Sequence, residues 1–143
     1  MVDRYNNEEG FVIAGTSAGA MAMTQEMIAG GSATEAFIKG AVAMHKGLGL
    51  IPKLIIDTHF IKRGRFGRQS EAVAKFPNLI GIGLAEDTGM IIKNGTNCTV
   101  IGSGMVIVFD GNNLTHNNEK LLKEGTPMTM ANMIVHVLSN GDQ

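Results

Sequence analysis

The residues that most restrict how this chain can fold are Phe11-Val12-Ile13-Ala14, followed without a break by Gly15-Thr16-Ser17-Ala18-Gly19. A short apolar run that stops at a glycine reads as a buried strand. From Ala18 to Ala29 the chain offers alanine, methionine, glutamine and glutamate without proline, and Gly30-Gly31 closes the segment as a C-terminal stop. The expected local structure is strand, tight turn, helix.

The same alternation continues downstream. Residues 32 to 46 suggest an irregular strand and loop. Gly47-Leu48-Gly49-Leu50 with Pro52 turns the chain into Leu54-Ile55-Ile56-Asp57, a second buried strand. Gln69 to Phe76 has helical spacing and stops before Pro77. Leu79 to Leu84 is a third apolar run. Asn94-Gly95 is a hairpin signal between Met90-Ile91-Ile92 and Thr99-Val100-Ile101. Met105 to Phe109 and Ile134 to Leu138 read as later strands, with a polar loop over residues 112 to 129. The pattern predicts an α/β fold, a mixed and mostly parallel sheet flanked by helices, with the late strands antiparallel.

Charge and composition narrow the class of partner. Net charge is −1 and charged residues make up 17%, so no global field draws the chain to nucleic acid or an anionic membrane. No apolar stretch approaches the roughly 20 residues of a membrane span. The start, Met1 to Gly10, is polar and acidic, the reverse of a secretory signal, and the expected compartment is the cytoplasm. A single cysteine, Cys98, excludes an intrachain disulfide. It lies beside a hairpin turn with no basic neighbour, which indicates a structural role. The ten methionines are spread through presumed core segments as gap fillers. The Gly15–Gly19 turn lies so close to Met1 that little room is left for strands before it, so an incomplete domain is expected.

Gly15-Thr16-Ser17-Ala18-Gly19 matches the G-x-S-x-G nucleophile elbow. A serine on a strained strand-to-helix turn must project its hydroxyl clear of the backbone, and small neighbours permit the close approach. The N–H groups at the start of the next helix then face the charge that develops on the substrate oxygen. The competing reading is a Gly/Ser turn in which Ser17 merely caps a helix. A serine nucleophile needs a base, and the base needs an orienting group. Of His45, His59, His116 and His136, His59 follows the strand Leu54–Asp57 at the end where α/β sites collect. Solvated or core roles suit the other three. Glu86 and Asp87 follow the next apolar run at a comparable level. Glu86 is the preferred partner and Asp87 the reserve. Arg63, Arg65 and Arg68 crowd the residues after His59. Guanidinium forks grip carboxylates bidentately, so an acidic substrate would explain them.

Taken together, Gly15-Thr16-Ser17-Ala18-Gly19-Ala20, Asp57-Thr58-His59-Phe60 with Arg63-Gly64-Arg65 and Gly67-Arg68, and Gly81-Ile82-Gly83 with Glu86-Asp87-Thr88 resemble the cyanophycinase-type serine peptidases, which include the aspartyl dipeptidases. The resemblance implies a glutamine-amidotransferase-like or flavodoxin-like α/β fold without metal or cofactor. It implies Ser17 as nucleophile, His59 as general base and Glu86 as its partner, with the Ala18 N–H at the oxyanion. Asp57, Thr58, Arg63, Arg65 and Arg68 would shape or line the substrate site. The implied substrate is a poly-aspartate chain decorated with arginine, cleaved to β-Asp-Arg dipeptides. Alternatives are an aspartyl dipeptidase or other acyl hydrolase, and a non-catalytic fragment or assembly subunit. The chain departs from the family in two ways. Thr58 stands where cyanophycinases usually carry glutamine. Members also run to roughly twice this length, a plausible domain size, and residues 1–143 correspond to their C-terminal half. Pairing with an N-terminal half, or homo-oligomerisation, is therefore expected.

Overall fold

A computed structural model describes residues 1–31, 35 and 37–143. In chain order the elements are α1 (Val2–Asn7), α2 (Ala18–Ala22), β1 (Glu26–Gly31), β2 (Val42–Lys46), β3 (Leu54–Asp57), α3 (Phe66–Lys75), β4 (Ile80–Leu84), β5 (Thr88–Lys93), β6 (Asn97–Gly102), β7 (Val106–Asp110) and β8 (Ile134–Leu138), with one 3-10 turn at Glu119–Leu121. The architecture is mixed α/β. The main sheet has the order β3-β4-β7-β8. β3 and β4 are parallel, with Asp57 opposite Gly83, and α3 makes the crossover that parallel neighbours require. The β4–β7 and β7–β8 ladders are antiparallel, in keeping with the expectation for the late strands. Two antiparallel hairpins, β1–β2 and β5–β6, accompany this sheet.

Strand periodicity accounts for the core. On β7, Val106 and Val108 face one side with Ile82, Ile56 and Val100, while Ile107 and Phe109 face the other with Val73 and Phe60. α3 lies on that second side. Its first turn begins at Phe66, three residues before the expected Gln69. The Phe66 ring meets the edge of Phe109 at 4.8 Å between centroids, a tertiary contact that carries helix through Gly67. On β4, alternate glycines make room for what packs above them. A Cβ on Gly81 would stand 2.5 Å from the Gln69 amide nitrogen, and one on Gly83 would stand 2.5 Å from the Phe60 ring.

Two expected elements differ. Helix stops at Ala22 rather than continuing to Ala29, and Glu26–Gly31 becomes β1. The Thr24 hydroxyl lies 2.8 Å from the Met21 carbonyl oxygen and 2.9 Å from that of Glu26, which ends the turn. Ile28, fully buried in the β1–β2 hairpin, then outweighs helix propensity. Phe11–Ala14 takes no regular secondary structure and joins no ladder among the described residues. It is not a buried strand, since Val12 is 81% exposed. Of the segment expected as irregular strand and loop, residues 42–46 form β2, while 32–34 and 36 lie outside the described residues. Among the described residues no helix is long and apolar enough to cross a membrane.

Candidate active site

Parallel pairing places the C-terminal ends of β3 and β4 side by side, the edge at which open α/β sheets gather their chemistry. His59 stands two residues beyond β3, and Glu86 two residues beyond β4. The Phe60 N–H donates to the Leu84 carbonyl at 3.0 Å, extending the pairing past the ladder and holding the two loops in register. The His59 imidazole then reaches Glu86, with Nδ1 at 2.8 and 3.0 Å from the two carboxylate oxygens. Asp87, the reserve candidate, is not the residue that meets the ring.

Ser17 comes to the other ring nitrogen, its Oγ 3.1 Å from His59 Nε2. The turn that presents it is tight: a Cβ on Gly15 would fall 2.7 Å from the Gly19 backbone carbon. Ser17 itself has φ 49° and ψ −124°, a conformation that costs an L-residue on the order of 1–3 kcal/mol. The Gly19 N–H donates to the Thr16 carbonyl at 2.8 Å and the Ala20 N–H to that of Ser17 at 3.1 Å, closing the elbow into α2. Ala18 opens that helix, so its N–H has no acceptor within it.

Electrostatics favour one protonation pattern. The hydrogen bond from His59 holds the Glu86 carboxyl below its ordinary value, against a smaller desolvation effect, and the charges of His59, Lys62 and Arg63 add to the lowering. An ionised Glu86 accepts a hydrogen bond from the Nδ1–H, which leaves Nε2 as the acceptor for the Ser17 hydroxyl. That is the tautomer a general base needs. Lys62 was not singled out from the sequence. Its role is purely one of charge, and it sits in a run that reads as solvated.

The chain matches peptidase family S51 over residues 2–100. The chain belongs to that family. Over 131 residues it is 44% identical to a cyanophycinase of Trichormus variabilis and 38% identical to one of Geminocystis herdmanii. Each alignment takes in 92% of this chain, but only 44% and 48% of the two relatives. The chain thus spans less than half the length of the curated relatives it matches. A solved structure, the crystal structure of a peptidase from an acI-B1 Actinobacterium, aligns with a TM-score of 0.44 and 20% identity over 84% of this chain and 43% of that one.

Within this S51 chain the residues expected around the substrate separate into two groups. Arg63 is exposed beside the Glu86 loop. Asp57, by contrast, is fully buried and gripped by two guanidinium groups. Arg68, 4% exposed, donates from Nε to Asp57 Oδ2 at 2.7 Å and from Nη2 to Oδ1 at 2.5 Å. Arg65 donates from Nη1 to Asp57 Oδ1 at 3.0 Å and to the Thr58 carbonyl at 2.7 Å. Thr58 is buried, its hydroxyl donating to the Met21 sulfur at 3.5 Å. Asp57 and Arg68 can shape the site from beneath, but they do not line it. A buried carboxylate needs such partners, because an uncompensated buried charge is strongly destabilising.

A cleft of about 750 Å³ opens beside Ser17 and His59. Its far wall is apolar, built from the Phe11–Ala14 segment, from Ile82 and from Met90 to Ile92 of β5. In the sequence Phe11–Ala14 reads as a buried strand, Leu79–Leu84 as an apolar run and Met90–Ile92 as a flank of the hairpin turn, none of them tied to the site. Their apolar character was visible, but the sheet positions that open them to a cleft were not.

Proposed function

We propose that this chain carries the nucleophile and base of a serine peptidase that hydrolyses aspartyl peptide bonds, with a polymer of aspartate and arginine as substrate and β-Asp-Arg dipeptides as product. The single observation that carries the reading is the continuous relay from Ser17 Oγ through His59 to Glu86, at 3.1 Å and 2.8 Å. In this reading His59 Nε2 takes the hydroxyl proton as Ser17 Oγ attacks the scissile carbonyl carbon. The carbonyl π electrons move to oxygen, and the resulting oxyanion lies against the Ala18 N–H. His59 then delivers its proton to the leaving amine, giving an acyl-enzyme. Water repeats the sequence to release the acid and restore Ser17. Ionised Glu86 stabilises the imidazolium at each transfer. In this reading Arg63, exposed beside the Glu86 loop, meets the substrate carboxylates.

The chain covers 44% of the length of its Trichormus variabilis relative. The proposal assigns a second oxyanion donor to polypeptide beyond this span, either continuous with the chain or contributed by a partner. One missing donor typically lowers the rate about 10²–10³-fold. The test compares Ser17→Ala with the unaltered protein, each supplied with the remaining portion of a cyanophycinase relative, on the Asp-Arg polymer and on Asp-X dipeptides. Loss of dipeptide release on substitution is expected. Undiminished release would end the proposal, and preference for free dipeptides over polymer would move the assignment to the dipeptidase reading.

A further inference from the structure

The buried ion-pair network beneath the site compensates the Asp57 charge and also reaches the backbone on both sides of Thr58. Asp57 ends β3, and its Oδ1 accepts the backbone N–H of Thr58 at 2.8 Å. Arg65 Nη1 holds the carbonyl of the same residue at 2.7 Å while also touching Asp57 Oδ1 at 3.0 Å. Arg68 locks the carboxylate in place through both oxygens. The Thr58 N–H belongs to the peptide unit entering Thr58, and the Thr58 carbonyl to the unit entering His59. One network therefore clamps both peptide planes immediately before the imidazole.

His59 is a residue that needs such a clamp. Its φ is 53°, in the left-handed region where a non-glycine residue persists only if its surroundings over-determine it. From the far side, Phe60 N–H binds the Leu84 carbonyl, and Arg63 N–H binds the carbonyl of His59 itself at 3.0 Å. From the near side the Asp57–Arg65–Arg68 network holds both backbone polar groups of Thr58. A substrate-gripping role does not fit these groups. Arg68 is 4% exposed, and the Arg65 Nη1 that would face a ligand is already shared between Thr58 and Asp57.

We propose that Asp57, Arg65 and Arg68 are positioning residues: by fixing the Thr58 peptide they hold His59 in its left-handed conformation, with its imidazole aimed at Ser17 Oγ and Glu86. The proposal rests on the reading of His59 as the base. Misplacement of a catalytic group by about 1 Å costs on the order of 10²-fold, so loosening this peptide should be felt at the serine.

Arg65 is the residue to change, since it is 13% exposed and grips the carbonyl directly. Two measurements are made on folded protein: the nuclear magnetic resonance signal of the His59 Nδ1 proton bound to Glu86, and the rate at which a fluorophosphonate probe labels Ser17. Arg65→Met should lose or broaden the His59 signal and slow labelling about 10–100-fold. Arg65→Lys, which restores a cationic donor, should recover part of both. Arg65→Gln falls short of the Thr58 carbonyl; it is expected to behave like the methionine variant and keeps the test open if that variant does not fold. A variant that melts earlier but keeps the His59 signal and the labelling rate would overturn the proposal, because a merely structural network would behave that way. If the unaltered chain, supplied with the remaining portion of a cyanophycinase relative, is not labelled at Ser17, the nucleophile reading fails, while the His59 signal still decides the positioning role.

Discussion

At the level of single residues, the site combines strain with charge. Ser17 has a positive φ that its side chain makes unfavourable. Removing that side chain should stabilise the fold while abolishing the chemistry. Ser17→Gly is expected to raise stability by about 1 kcal/mol relative to Ser17→Ala, read as a higher melting temperature; equal melting of the two would show the elbow to be unstrained. In the proposed mechanism Glu86 acts through its charge. Glu86→Gln keeps the shape but loses the anion that orients and stabilises the imidazole, and turnover should fall by about 10² or more. The same carboxyl gives a pH signature. Its folded value lies below the ordinary 4.5 because His59 donates to it. The contribution of the pair to stability is therefore present above about pH 4.5 and is lost as pH falls through the lower folded value. Glu86→Gln should flatten that acid limb in unfolding curves recorded between pH 6 and pH 3, and an unchanged limb would contradict the assignment.

At the level of elements, β4 does more than supply Glu86. Its alternate glycines let Phe60 and α3 sit directly on the sheet, and Phe60 is the residue next to His59, the proposed base. Gly83→Ala would push a methyl to 2.5 Å from the Phe60 ring, with an expected cost of about 1–3 kcal/mol and a loss of activity beyond what stability explains. The natural control is Gly89→Ala on β5, where the nearest atom would be at 3.5 Å, an ordinary contact. That variant should change stability by no more than about 0.5 kcal/mol. Denaturant midpoints of the two proteins compare them directly, and equal midpoints would remove the close approach at Gly83 as an explanation for the glycine.

For the whole molecule, the notable feature is an open sheet edge. β8 is the last strand of the main sheet, and Ile134, Val135 and Val137 are exposed on it, Val137 at 64%. An exposed apolar edge is a template for pairing with another chain. If the chain pairs with itself through this edge, Val137→Lys should reduce concentration-dependent association in sedimentation while leaving stability within about 0.5 kcal/mol; association unchanged by the substitution, or none in the unaltered chain, would contradict pairing through β8. The order of the molecule also explains what could be read in advance. The strands Leu54–Asp57, Ile80–Leu84, Val106–Asp110 and Ile134–Leu138 were legible because each is a short apolar run between turn residues. The Asn94-Gly95 turn was legible because both residues take the positive φ they favour, 55° and 70°. The helix expected from Ala18 to Ala29 was not found beyond Ala22, since local propensity is worth tenths of a kcal/mol per residue and burial of Ile28 outweighs it.

Local chemistry in the sequence determined the elbow at Ser17, the candidates His59 and Glu86, and the crowding of arginines beside them. These depend on residue type and near-neighbour spacing, which a linear chain displays in full. Only the tertiary structure decided which acid meets the imidazole and which way each arginine turns. Those outcomes depend on the parallel register of β3 and β4 and on the cost of leaving Asp57 unpaired in the interior, and both arise between segments that have no contact until the chain has folded.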